Sequence, residues 1–250
     1  MELILPQWGK KLPGVRALAT TRPCGNSPAP YDDGQGGGGL NLGVHVGDAS
    51  DCVQLNRAQI RRHLPGEPAW LTQVHGTTVL DAAKVSDAPS ADASFTTQRG
   101  VVCAIMTADC LPVLFADAAG RVVGAAHAGW RGLAGGVLEN TVAAMRAAGG
   151  DTLHAWLGPA IGPMQFEVGE EVLQVFAAKN PLMRHAFQPV AARPGKYLAD
   201  IYQLARSTLA NVGVMDVSGG NFCTISETRR FYSYRRDGVT GRMASLVWLE

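Results

Sequence analysis

An excess of charge of either sign is missing from this chain. Its 250 residues include 22 Lys or Arg and 21 Asp or Glu, for a formal net charge of +1. So small an imbalance gives no reason to expect nucleic acid or an anionic membrane as a partner. No apolar run approaches the roughly 20 residues that span a bilayer. The opening segment, MELILPQWGKKLPG, lacks the basic start, long apolar stretch and small-residue cleavage site of a signal peptide, so a cytoplasmic protein is expected. Cysteine is sparse: Cys24, Cys52, Cys103, Cys110 and Cys223 are odd in number and scattered, which argues against a disulfide framework and fits a reducing compartment. No CxxC or HxxxH pair is present, which removes a structural zinc finger. No GxGxxG follows a strand-like run, and no GK[ST] follows the glycine-rich stretch, so neither of those phosphate-binding loops is supported.

What is present suffices for one sizeable core, with 46% hydrophobic and 17% charged residues. Continuously apolar runs at 101–106 and 111–115 have the pattern of strands covered on both faces. Further strands are expected at 15–20, 69–72, 78–82, 112–117, 122–127, 154–157 and 222–223. The DAAGR turn at 117–121 joins two of these at hairpin spacing. Helices are expected at 52–63, 136–148, 170–179 and 198–211, with Asp51 as N-cap of the first. Such a mixture predicts an α/β (α+β) sandwich, a mixed sheet with flanking helices in a single domain spanning 1–250. Residues 22–39, with Pro23, Pro28, Pro30 and the run GQGGGG, read as an irregular, flexible loop inside it.

Three residues carry the chemistry: His75 in TQVHGT, Cys110 in TADCLPV and His127 in AAHAGWRG. Each stands where an apolar run meets small residues, a usual place for functional side chains in sheet proteins. Two imidazoles and a thiolate can hold zinc with a fourth position open. The same residues can instead form a thiol nucleophile with a histidine base. Taken singly, Cys110 reads first as a buried core cysteine and His75 as a loop histidine with no role. Their ligand atoms would have to converge in space, which is the pattern of a site assembled from several loops. His45, in NLGVHVGD, is open between a loop role and lining the same cleft.

TQVHGT, TADCLPV, AAHAGWRG, GPAIGP with FEVG, and RRDGVTGR occur in that order, with NLGVHVGD, Asn56-Arg57 and ADASFTT before or between them. In these motifs the chain resembles the YfiH-like family, also known as the laccase-domain or polyphenol-oxidase-type family, from about residue 40 to the C-terminus. The glycine insert at 34–39 is the one poor match. The resemblance implies a single-domain α/β sandwich similar to toxin-type, cytotoxic-necrotizing-factor-like cysteine hydrolases. It implies zinc bound by His75, Cys110 and His127. It also implies purine nucleoside chemistry: phosphorolysis of adenosine, inosine, guanosine and S-methyl-5′-thioadenosine, and deamination of adenosine. Small molecules and phosphate are then the partners, in a monomer or small homo-oligomer.

Deamination needs a group to move protons, and Asp109 is the first candidate, with Glu167 and Asp92 behind it. Asp109 reads equally as the cap of its turn. Phosphorolysis needs an anion holder, and Arg131 in the GWRG turn is the first candidate, with Arg57, Arg229 and Arg230 as alternatives. Asn41 is a candidate for ribose or base, and Trp130 and Phe166 for stacking a purine, against ordinary core packing. Arg235, Arg236 and Asp237 read as a surface turn with Gly238, with a phosphate role as the alternative. The family's older label, copper-dependent phenol oxidase, needs about ten histidines for a type-1 and a trinuclear copper centre, and this chain has 6. Copper at a single Cys/His site would be adventitious. The thiol amidase and a non-enzymatic metal or nucleotide-binding module remain as alternatives.

Overall fold

The structure, a computed structural model, describes all 250 residues. The apolar runs at the centre of the chain become the strands Val102–Thr107, Leu111–Asp117 and Val123–Ala128, and every residue in them is buried. Two sheets result. The first has five strands in the order Leu3–Ile4, Val15–Thr20, Met243–Leu249, Val102–Thr107 and Pro68–Ala69. The second has six, in the order Asp216–Gly219, Leu153–Leu157, Leu111–Asp117, Val123–Ala128, Ala93–Thr96 and Val79–Asp81. Both are mixed: inner pairs are antiparallel, and parallel pairs stand at the edges.

Side-chain alternation explains the layering. On Leu111–Asp117, Leu114 and Ala116 meet Cys103, Ile105 and Val247 of the first sheet. Leu111, Val113 and Phe115 face the other way, onto helices Val137–Ala147, Glu170–Lys179 and Ile201–Asn211. The outer face of the first sheet, with Leu18, Ala104 and Leu246, is covered by Ile60 of helix Ser50–Arg61. The fold is therefore a four-layer α/β/β/α sandwich. No helix is long and apolar enough to cross a membrane.

Several elements differ from the expectation. Residues 222–223 are not a strand; the edge strand is Asp216–Gly219, and Cys223 starts a turn whose N–H donates to the Glu227 carboxylate. Leu198 and Ala199 belong to strand Lys196–Ala199, because the Asp200 carboxylate accepts from the Gln203 N–H and starts the helix at Ile201. A carboxylate cap of that kind contributes about 1 kcal/mol. Leu204 and Leu209 bury that helix against the second sheet, and truncating Leu204 to Ala would cost about 2–5 kcal/mol. Asp51 lies inside the first helical turn, whose N-cap is Ala49. The central strand Met243–Leu249 and the small sheet of Glu167–Gly169, Lys196–Ala199 and Phe187–Pro189 had no counterpart in the expectation.

The segment 22–39 is more built than an irregular loop. It carries the strand Pro23–Ser27, and Asp33 accepts from the N–H groups of Gln35 and Gly37. A Cβ on Gly39 would stand 1.9 Å from the Tyr31 carbonyl oxygen, and one on Gly25 would stand 2.2 Å from the Gly39 oxygen. Glycine here permits backbone to lie on backbone.

Candidate functional site

The strands Val102–Thr107 and Leu111–Asp117 lie in different sheets, and the turn between them crosses from one layer to the other. Cys110 ends that turn. Asp109 takes φ +90° there, an unusual value for a non-glycine residue. Leu111 pairs with Ala128 and Pro112 with His127, so hairpin register brings Cys110 beside the end of the His127 strand. His75 comes from a separate loop, at φ +60°. The ligand atoms of His75, Cys110 and His127 all lie within 4.8 Å of one another, with Cys110 Sγ 3.7 Å from His75 Nε2. Zinc–ligand bonds of ordinary length in a tetrahedron set neighbouring ligand atoms about 3.5 Å apart. The spacing and the soft-plus-borderline donor set therefore fit zinc.

Asp92 organises both histidines. It is fully buried at the entry to strand Ala93–Thr96. Its Oδ1 accepts from the His75 N–H at 2.9 Å and lies 2.8 Å from His127 Nδ1. Its Oδ2 accepts from the N–H groups of Val74 and Gly76 at 3.2 and 2.6 Å. Its carbonyl takes the His127 N–H at 2.7 Å. Burial opposes ionisation of Asp92, but the bonds from His127, Gly76 and Val74 hold its carboxyl below the usual range. A carboxylate on Nδ1 fixes the proton there and leaves Nε2 free as a ligand. Sequence reading ranked Asp92 only as a reserve proton carrier; its position thirty-five residues before His127 carries no local signal of this pairing.

With no metal in place, burial would push the Cys110 thiol up, yet the charge and hydrogen bond of His127, helped by His75, bring it down to about 6. Burial likewise disfavours an imidazolium, and Cys110 with Asp92 raises His127 to about 9. Each group thus favours the charged form of the other, thiolate beside imidazolium. Gly129 makes room for the site: a Cβ there would stand 2.9 Å from His75 Cδ2 and 3.0 Å from Cys110 Sγ.

The trio lies between two lobes of one cleft. The first, a cavity of ≈ 220 Å³, is walled by Trp130, Ile161, Phe166, Ile201, Tyr234 and the side chains of Asp109, Arg131 and Arg235. The second, ≈ 350 Å³, is walled by His45, Gln73, Met106, Thr107, Tyr234 and Arg242, with His127 at its floor. Both reach His75 and Cys110.

The structure thus brings Asp109, Trp130 and Arg131 together with the trio. Trp130 and Arg131 open the short helix Trp130–Gly135, expected as a turn, and the exposed Arg131 guanidinium lies 4.5 Å over the Trp130 ring. Asp109 accepts from Thr224 Oγ1 and the Arg235 N–H, both at 2.6 Å, so it also ties its turn to helix Tyr234–Asp237. Asn41 and Arg57 do not border the two lobes. Asn41 is fully buried, and its amide holds Gly43, Asp48 and the Arg242 N–H. Arg57 stacks 4.2 Å over Trp70 and donates to the Leu42 carbonyl, in an adjoining pocket that shares His45. Arg230 is paired with Glu2 and Glu227, away from the cleft. His45 lines the cleft, one of the two places left open for it, and so does Arg235, read as a surface turn or a phosphate contact; the sequence does not single out Gln73, Thr107, Tyr234 and Arg242.

Fold and site together define a class: a four-layer sandwich with an open His–Cys–His centre between two lobes. A family model described as multi-copper polyphenol oxidoreductase laccase matches residues 16–250. A purine nucleoside phosphorylase of Pseudomonas aeruginosa is 55% identical over 94% of both chains. Purine nucleoside phosphorylase YfiH of Escherichia coli is 52% identical over 99% of both. Among solved structures, a Neisseria meningitidis protein that is 47% identical aligns with a TM-score of 0.92 over 100% of both chains. YlmD of Geobacillus stearothermophilus, 30% identical, aligns with a TM-score of 0.81 over 96% of this chain and 93% of its own. This chain belongs to the YfiH-like family.

Proposed function

We propose that the protein is a zinc-dependent purine nucleoside phosphorylase that cleaves adenosine, inosine, guanosine and S-methyl-5′-thioadenosine, and that it also deaminates adenosine. The observation that carries this reading is the convergence of His75, Cys110 and His127 between an aromatic lobe and a basic lobe of one cleft. The names of the relatives at 52% and 55% identity agree with it. Zinc held by the trio would supply a Lewis acid with an open coordination position. The protein's own residues do the rest. Trp130 and Phe166 offer faces for a purine, and the apolar lobe excludes water around it. Asp92 keeps His127 in one tautomer. Of the three carboxylates considered for proton transfer, Asp109 borders the cleft, one donor on each oxygen, whereas Asp92 is fully buried with two donors on each oxygen and Glu167 pairs with Arg193. Asp109 is the residue we assign to that transfer. Copper at this centre would be adventitious. A cytoplasmic monomer or small homo-oligomer goes with this reading.

The test is chromatography of adenosine incubated with the protein, with and without phosphate, alongside metal analysis of protein purified without added metal. Adenine formed only with phosphate is phosphorolysis, and inosine formed regardless of phosphate is deamination. Zinc near one per chain, lost in Cys110→Ser and His127→Ala, supports the centre. Full activity in a chelator refutes it.

A second reading has its own observation. Cys110, His127 and Asp92 stand in the order nucleophile, base and orienting carboxylate. That suits a thiol amidase. Amide cleavage that survives chelation and stops with iodoacetamide would favour it.

A further inference from the structure

The motifs NLGVHVGD and RRDGVTGR lie about two hundred residues apart, and neither supplies a member of the trio. They meet at Arg242. Asn41 Oδ1 accepts the Arg242 N–H at 2.9 Å, and the Leu42 N–H donates to the Arg242 carbonyl at 3.2 Å. The Arg242 stem crosses Gly43 so closely that a Cβ there would lie 2.9 Å from its Cγ. Its Nη1 donates to the carbonyls of Thr240 and Gly241, both at 3.0 Å. Those bonds aim the guanidinium and leave Nε and Nη2 with no acceptor in the protein. No carboxylate pairs with it. It lines the same lobe as His75, Cys110 and His127, so it faces the trio.

The rest of that wall suits an anion as well. His45 makes no hydrogen bond within the protein; burial, then the charges of Arg242 and Arg57, hold its imidazole below the usual range, so it offers a neutral ring N–H. Thr107 presents a hydroxyl, and no carboxylate lines this lobe. The other lobe differs. Asp109 is on its wall; its Arg131 and Arg235 guanidinium groups lie over Trp130 and Phe166 much as Arg242 lies over Tyr234, so the carboxylate is what separates the two lobes. An oxyanion there would meet a like charge.

We propose that Arg242, with His45 and Thr107 beside it, is the phosphate-binding subsite, and that the purine takes the lobe of Trp130 and Phe166. This rests on the phosphorylase reading for the identity of the anion. In that reaction a phosphate oxygen bonds to C1′ as the C1′–N9 bond breaks. The electron pair leaves with the purine, which takes up the proton that dihydrogen phosphate gives up, and ribose 1-phosphate remains. A planar fork with two free edges suits both the reactant and the product phosphate. Asn41 acts here as a positioning residue for Arg242.

The experiment titrates inorganic phosphate into the zinc-loaded full chain by calorimetry, and measures KM for phosphate and for inosine. Arg242→Gln weakens phosphate binding and raises its KM by at least about tenfold, while KM for inosine stays within about threefold. Arg242→Lys keeps the stem and charge but loses the fork, and falls between; it decides the matter if the Gln variant does not fold. Arg131→Gln keeps phosphate affinity within about twofold. Zinc content and thermal unfolding of the Lys variant match wild type. Unchanged phosphate affinity in both Arg242 variants overturns the subsite, as does an equal loss in Arg131→Gln. If the wild type binds phosphate through Arg242 but phosphorolyses no nucleoside, the subsite stands and the phosphorylase reading fails. If it phosphorolyses nucleosides and Arg242→Gln leaves phosphate KM unmoved, the reading stands and the subsite fails.

Discussion

Replacing Asp92 by Asn changes one oxygen to NH₂ and nothing else in shape. The four donors at that carboxylate are the N–H groups of Val74, His75 and Gly76 and the His127 ring. An amide has one acceptor oxygen, so whichever way it turns, two donors face a donor. If the oxygen stays on the Oδ2 side, His127 loses its acceptor, and an amide NH₂ favours the tautomer with Nδ1 unprotonated and Nε2 carrying the proton. Nε2 is then no longer free as a ligand. If the oxygen stays on the Oδ1 side, the Val74 and Gly76 N–H groups are stranded and the His75 loop loosens. Each hydrogen bond to a charged group contributes about 1.5–3 kcal/mol, so losing two costs up to about 3–6 kcal/mol. That loss is divided between the loop and the metal centre. Metal affinity is expected to fall by about 10- to 100-fold, as for other carboxylates behind ligand histidines. The assay is zinc competition against a chromophoric chelator, paired with thermal unfolding of the metal-free protein. Asp92→Asn with wild-type zinc affinity and wild-type apo stability would refute the organising role of Asp92.

Three other outcomes are expected. In chelator-treated protein, iodoacetamide labelling of Cys110 should reach half its plateau rate near pH 6, because the neighbouring imidazoles outweigh burial; a midpoint above about 8, near that of a free thiol, would deny the thiolate–imidazolium pair. Gly129→Ala should fold but lose zinc, since its Cβ would press on His75 and Cys110 at 2.9 and 3.0 Å; wild-type zinc content would show that the loop yields. Asp117 is held down to about 2: burial opposes its ionisation, but Arg121 and the Asp151 N–H outweigh it. A depressed acid stabilises the fold above its unfolded pKa of about 4 and loses that contribution as pH falls toward 2, so Asp117→Asn should cost about 1–2 kcal/mol at pH 7, after discounting the solvent-screened Arg121 side, and almost nothing at pH 2. A pH-independent difference in urea unfolding would contradict it.

The strands near 101–127 were legible because they are buried on both faces, so they read as unbroken apolar runs bounded by turn residues. The strand Met243–Leu249 is as apolar and as buried, yet it has no turn signal after it and no partner near in sequence. Its pairing with Val15–Thr20 is a long-range contact that local pattern does not record. The trio could be picked out by conjunction: three ligand types stand at the ends of apolar runs beside small residues, in motifs that resemble one family, although each alone had an ordinary structural reading. Asp92 and Arg242 could not be ranked that way. Their roles come from what the chain folds against them: three N–H groups of another loop around one, and Asn41 under the other. Asn41 shows the converse error. A polar residue in a motif suggested substrate contact, but its amide is spent on backbone groups that no other side chain satisfies.

These placements follow from the sandwich. The turn ending at Cys110 is where the chain leaves the first sheet and enters the second, so the residues around it belong to both layers. His127 ends a strand of the second sheet, while Arg242 stands just before a strand of the first. A cleft at such a junction has one wall from each sheet. Strand Met243–Leu249 pairs Met243 with Thr107, which sets Arg242 next to the start of the Cys110 turn. Moving that pairing by one residue would reverse the faces of Met243–Leu249 and turn Leu246 and Val247 out of their layers. The two hydrophobic faces of one strand therefore fix the distance between the Arg242 guanidinium and the Cys110 sulfur. That is why the basic lobe lies beside the centre, and why a core substitution at Leu246 would be felt at Arg242.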